Sequence, residues 1–123
     1  HYNERRRWAS SKYTRLLSLN DKIITPKVVR NLNSHVFHQY TLRLIDSNRD
    51  ALVRHLQNNG IPCGVYYPIP LHAQKAYKSD NYGEENFEVT NQLVKEVISL
   101  PMHSELDEEQ IQKICQAVLD FLG

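Results

Sequence analysis

Apolar residues recur at helical spacing near both ends of the chain and alternate with polar ones between them. Ala9, Tyr13, Leu16 and Leu17 share one helical face, which predicts a helix over 3–18 stopped by Asn20-Asp21. Lys22-Ile23-Ile24-Thr25 reads as a short extended piece ahead of Pro26. His35 to Ile45 is the longest predicted strand, with Val36, His38, Tyr40, Leu42 and Leu44 on one face. Ser47-Asn48-Arg49-Asp50 resembles an N-cap at Ser47 with an acid at the third helical position, where it meets the positive helix end. The helix it opens turns Leu52, Val53 and Leu56 inward, runs to Asn58-Asn59 and stops at Gly60.

Pro62 to Tyr67 reads as the next strand, and Glu85 to Ile98 as a helix bearing Val89, Leu93, Val97 and Ile98. Ser99-Leu100-Pro101 is a short extended piece closed by proline. Asp107-Glu108-Glu109-Gln110 forms a capping box before the apolar stripe Ile111, Ile114, Cys115, Val118 and Leu122. This order predicts one α+β domain, with helices covering one face of a small sheet and the other face free for a partner domain. No repeat or low-complexity segment interrupts it.

Composition narrows the picture only a little. At 123 residues the chain fits one domain, and its 41% hydrophobic and 24% charged residues are ordinary for a globular protein. No apolar run approaches a membrane span and no signal peptide is visible, so neither a membrane partner nor export is expected. Cys63 and Cys115 read as buried free thiols, in keeping with a cytoplasmic location. The chain opens at His1, within a predicted helix, as a piece of a longer protein would.

Charge is uneven. Residues 1–30 carry eight Lys/Arg against Glu4 and Asp21, a balance of +6 that leaves −5 for the remainder. A basic helix can bind nucleic acid, but this one lacks interleaved aromatics and glycines, so a solvated or docked helix face is the stronger reading. No nucleic-acid partner is expected.

The usual catalytic constellations are absent. His35 and His38 would fall on opposite faces of a strand, and no Cys-x-x-Cys or His-x-x-x-His spacing occurs, so no metal site is expected. There is no nucleophile elbow, no base beside either cysteine, and with four glycines no phosphate loop. His38 reads as a core histidine and His103 as a loop-shaping residue. What remains is Tyr66-Tyr67-Pro68-Ile69-Pro70-Leu71-His72-Ala73-Gln74. Its prolines fix the backbone into a rigid loop that presents two phenols, an imidazole and an amide. Tyr66 and Tyr67 alternate faces, so one of them is expected to belong to the core. The residues alone leave His72 open between a ligand contact and a structural role.

The order of motifs adds a resemblance. Ser34 to Arg43, Asn48-Arg49-Asp50, Leu56 to Ile61, the Tyr-Pro-x-Pro-Leu-His-x-Gln loop, Ser99 to His103 and Gln110-Ile111 together resemble the C-terminal domain of the DegT/DnrJ/StrS family of sugar-nucleotide aminotransferases. The resemblance covers nearly the whole chain and is most specific in the loop.

It implies a fold type I enzyme whose small C-terminal domain has a mainly antiparallel sheet with helices packed on one face. Residues 1–20 would lead from a large N-terminal domain, and 21–123 would form the small domain. It implies a homodimer that uses pyridoxal 5'-phosphate, held mainly by the large domain, to move an amino group from glutamate to a keto-sugar nucleotide. His72 would contact the sugar nucleotide, Tyr66 and Tyr67 would line or brace its pocket, and Gln74 would hold the loop.

No lysine here stands in the family's cofactor-lysine context, so the chain offers no catalytic residue and is expected to be inactive alone. The Tyr-Tyr-Pro-Ile-Pro-Leu-His form is similar to enzymes that aminate UDP-linked 3-oxo-uronic acids for lipopolysaccharide and other surface polysaccharides. A regulatory or DNA-binding relative that keeps the fold without catalysis is the alternative.

Overall fold

The computed structural model describes residues 1–79, 81 and 83–123. The elements run α1 (Tyr2–Leu17), β1 (Ile23–Ile24), β2 (Tyr40–Leu44), α2 (Arg49–Asn58), α3 (Glu88–Glu96), β3 (Val97–Leu100) and α4 (Glu108–Leu122). The strands form an antiparallel sheet in the order β1-β2-β3, with Ile23 opposite Leu44 and Tyr40 opposite Leu100. The arrangement is the expected α+β class.

Alternation along β2 sets the two faces of the sheet. Tyr40, Leu42 and Leu44 are buried in one core with Ala9, Tyr13 and Leu17 of α1, Leu52 and Leu56 of α2, and the complete predicted stripe of α4. On the other face Thr41 shares a 2.8 Å hydrogen bond with Ser99, its partner across the strands. Arg43 grips Glu96 Oε2 through Nε and Nη2 at 2.9 and 2.7 Å, which holds that carboxyl below the usual carboxylate range.

Side-chain chemistry sets the starts of α2 and α4. The Asp107 carboxylate accepts from the Gln110 N–H, and the Gln110 amide returns the bond, so the predicted capping box is formed. At α2 the cap is Asn48 rather than Ser47; its side chain accepts from the Ala51 N–H at 2.9 Å. Asn48→Ala should cost about 1 kcal/mol of stability, read as a lower denaturant midpoint at unchanged slope. Arg49 then donates to the carbonyls of Val94 and Val97, tying the start of α2 to the end of α3.

Three expected elements differ. The strand begins at Tyr40, not His35, because side chains take the backbone groups that a ladder would use. His35 Nδ1 accepts from the Phe37 N–H at 2.9 Å, and the Arg6 guanidinium donates to the carbonyls of Phe37 and His38. Phe37 sits at φ 45° and turns the chain, so that Phe37 is buried while Val36 and His38 are exposed. His38 is therefore not a core histidine.

The expected strand 62–67 is reduced to one bridge between Gly64 and Ser99. Pro62 and Pro68 have no N–H to offer a ladder. The expected helix 85–98 splits into a 3₁₀ turn at Glu84–Phe87, then α3, then β3. Val97 and Ile98 pair with β2, a tertiary contact that their branched side chains favour over helix, and Val89 is exposed.

Several basic residues of the first 30 are used within the fold. Arg5 of α1 donates to the carbonyls of Ser104 and Leu106, Lys12 of α1 pairs with Glu108 at 2.6 Å, and Lys22, just before β1, donates to the Leu122 carbonyl.

Burial also predicts an alkaline limit to stability. It pushes the Cys115 thiol from its ordinary 9.0 to about 12, and lifts the Tyr13 and Tyr40 phenols well above their ordinary value. The unfolded chain therefore loses these protons first, so stability is full below about pH 9 and falls as pH rises past it. The denaturant midpoint should hold to about pH 8 and decline by pH 11. A midpoint unchanged across that range would contradict the burial of these groups.

Candidate functional site

The loop is anchored on its N-terminal side. Gly60, at φ 69°, closes α2 with its N–H on the Gln57 carbonyl, and the Ile61 N–H reaches Leu56. Ile61 is buried, and Gly64 exchanges two backbone hydrogen bonds with Ser99 at the free edge of β3. Beyond Gly64 the chain leaves the sheet. The Tyr66–Tyr67 peptide is cis, and the two rings meet edge to face at 6.3 Å. Pro70 then opens a 3₁₀ turn at Leu71–Ala73, and a second follows at Lys75–Tyr77. Neither tyrosine is in the core; both are exposed.

Three depressions adjoin the loop. The largest, about 520 Å³, is an apolar groove between Tyr66, Tyr67, Ile69, Pro70, Leu71 and Gln74 on one side and Thr90, Leu93, Val94 and Val97 on the other. A second, about 320 Å³, is more polar and includes His38, Gln39, Cys63, Gly64, Tyr66 and Ser99. The third, about 270 Å³, lies among Leu71, His72, Tyr77, Phe87 and Thr90. Tyr66, Tyr67 and Gln74 thus line one groove. His72 does not join them, and faces the adjoining depression across the shared Leu71 and Thr90.

His72 stacks on Phe87 at 4.3 Å with the rings 13° from parallel. Its Nε2 is buried and has no hydrogen-bond partner among the described residues. A buried ring nitrogen without a partner costs about 1–3 kcal/mol, which marks this atom as the unmet hydrogen-bonding group beside the loop.

Two participants carry no signal in the sequence. His38 reads as a core residue yet lines the polar groove, because the use of its backbone by Arg6 leaves no periodic mark. Phe87 carried no local motif at all. Cys63, also in the polar groove, has its thiol pushed up by burial, which leaves it protonated and unreactive near neutral pH.

Neither Tyr66-lined groove includes a lysine or an acidic or guanidinium side chain. They cannot by themselves hold a Schiff-base cofactor with its phosphate and ring nitrogen partners, so no chemical step is assigned to them. Among the described residues no group of three or more His, Cys, Asp or Glu could hold a metal ion, and no helix is long and apolar enough to cross a membrane.

The chain belongs to the DegT/DnrJ/EryC1/StrS aminotransferase family, whose pattern matches residues 1–119. It is 42% identical over 122 residues to a pleiotropic regulatory protein of Geobacillus stearothermophilus, covering 98% of this chain and 32% of that protein. It is 37% identical over 118 residues to the UDP-N-acetyl-3-dehydro-alpha-D-glucosamine 3-aminotransferase of Acidithiobacillus ferrooxidans, covering 95% of this chain and 30% of that one. A crystal structure of a DegT DnrJ EryC1 StrS aminotransferase from Brucella abortus superposes with a TM-score of 0.87 at 32% identity, over 99% of this chain and 31% of that one. The chain therefore spans about a third of the length of the relatives it matches.

Proposed function

We propose that this chain is the C-terminal part of a pyridoxal-phosphate-dependent aminotransferase that moves an amino group from glutamate to a keto-sugar nucleotide. In this reading 1–20 lead from a large cofactor-binding domain, and 21–123 are the small domain of a fold type I homodimer. The acceptor is a UDP-linked 3-oxo sugar, with a uronic acid as the finer choice, and the product feeds surface polysaccharide such as lipopolysaccharide. The enzyme works in the cytoplasm.

The observation that carries this reading is the family match across residues 1–119. The similarity to a UDP-sugar 3-aminotransferase supports the acceptor class. For the site, the buried, unpartnered Nε2 of His72 supports a role in holding the sugar nucleotide. A neutral imidazole can donate there to a sugar hydroxyl or phosphate oxygen without the desolvation cost of a fixed charge. Tyr66, Tyr67 and Gln74 line the neighbouring groove and would brace that ligand.

The test is product analysis by mass spectrometry. The full-length protein with pyridoxal phosphate, glutamate and a UDP-linked 3-oxo-uronic acid should yield the 3-amino sugar and 2-oxoglutarate, while the 123-residue chain alone should yield neither. An active isolated chain would overturn the division of labour, and an inactive full-length protein would overturn the function.

The rival reading is a non-catalytic regulatory or DNA-binding relative of the same fold, and the similarity to a pleiotropic regulatory protein supports its regulatory half. Arg5, Arg6 and Lys12 already engage groups of the same chain, which speaks against a free phosphate-binding face. The full-length protein should give no shift of duplex DNA at low salt; a salt-sensitive shift would favour the rival.

A further inference from the structure

Gly64 is a glycine whose backbone does not require one. It lies outside the left-handed region that Gly60 and Gly123 occupy. Its surroundings require it instead. A Cβ at this position would sit 2.5 Å from Cε2 of Tyr66 and 2.6 Å from both Cζ and the phenol oxygen. Ordinary contact between such atoms begins at about 3.5 Å.

The main chain cannot retreat from that clash without cost. The Gly64 N–H donates to the Ser99 carbonyl at 3.0 Å, and its own carbonyl accepts from the Ser99 N–H at 2.7 Å. Ser99 in turn is buried in β3, with its hydroxyl bonded to Thr41. The Tyr66 ring, by contrast, is 52% exposed, so with a side chain at 64 the ring and not the main chain would give way. It also stands between the polar and the apolar groove, contributing to both.

We propose that Gly64 is a positioning residue for Tyr66. Its bare Cα seats the phenol against a pinned main chain, and so fixes the wall between the two grooves on which the sugar ring of a keto-sugar nucleotide rests. The inference builds on the reading of this loop as part of a sugar-nucleotide site. It assigns the shape of that site to a residue that touches no ligand.

The experiment is a double-mutant cycle in the full-length protein, joined to a crystal structure of Gly64→Ala. The alanine should move the Tyr66 ring by roughly 1 Å while the pairing with Ser99 persists. It should raise KM for the UDP-linked 3-oxo sugar up to about tenfold with little change in KM for glutamate. Added to Tyr66→Ala, it should have no further effect, because its action runs through that ring.

An unmoved ring, or the same loss in the Tyr66→Ala background, would overturn the assignment. If the wild-type protein aminates no keto-sugar, the functional reading falls and the crystal structure alone decides: a displaced ring upholds the positioning, and a shifted main chain overturns it.

Discussion

Replacing His72 by alanine in the full-length protein is expected to lower kcat/KM for the keto-sugar nucleotide roughly 10- to 150-fold. That range corresponds to the loss of about 1.5–3 kcal/mol, the worth of a hydrogen bond to a charged acceptor. The reaction with glutamate should change little, because the imidazole sits against Phe87 beside the proline loop and its Nε2, unpartnered among the described residues, is the group proposed to meet the sugar nucleotide. His72→Gln, which keeps a donor, should recover part of the loss. Steady-state kinetics with each substrate varied in turn would decide the matter. Equal losses for both substrates would reduce His72 to a brace for the loop.

The second large effect concerns the fold. Tyr40→Ala should destabilise the domain by about 3–5 kcal/mol, a large share of the 5–15 kcal/mol typical of a native protein. Tyr40 is fully buried at the start of β2, its ring stacks on Tyr13 at 4.9 Å, and its hydroxyl shares a 2.8 Å hydrogen bond with Thr14. The truncation therefore opens a cavity where α1 meets the sheet and removes the partner of a half-buried hydroxyl. Tyr40→Phe keeps the ring and should cost only about 1 kcal/mol. Denaturant unfolding of both variants would test this, and a loss below about 1 kcal/mol for the alanine would contradict the packing.

What could be read from the residues alone was whatever local periodicity encodes. The α4 stripe and its Asp107–Gln110 box, the Gly60 stop and the alternation of Tyr40, Leu42 and Leu44 all stand as expected, because each is set by neighbours in sequence. The errors fall where distant groups intervene. Arg6 and His35 take the backbone groups of 35–38 and cut the strand short, and pairing with β2 draws Val97 and Ile98 out of a helix that their spacing suggested.

The candidate site divides in the same way. The proline loop announced itself through residues that fix their own backbone, and it does present Tyr66, Tyr67 and Gln74 to one groove. The stack of His72 on Phe87, the place of His38 beside Tyr66 and the use of Gly64 as a seat for a ring all depend on segments brought together only by folding.

The most direct test of the central claim is the visible absorbance of the full-length protein with pyridoxal phosphate, first with glutamate and then with a UDP-linked 3-oxo sugar. The account predicts a bound-cofactor band that disappears with glutamate, returns with the keto-sugar, and returns poorly in His72→Ala. A protein that never develops the band, or whose band responds to glutamate but to no keto-sugar nucleotide, would contradict it.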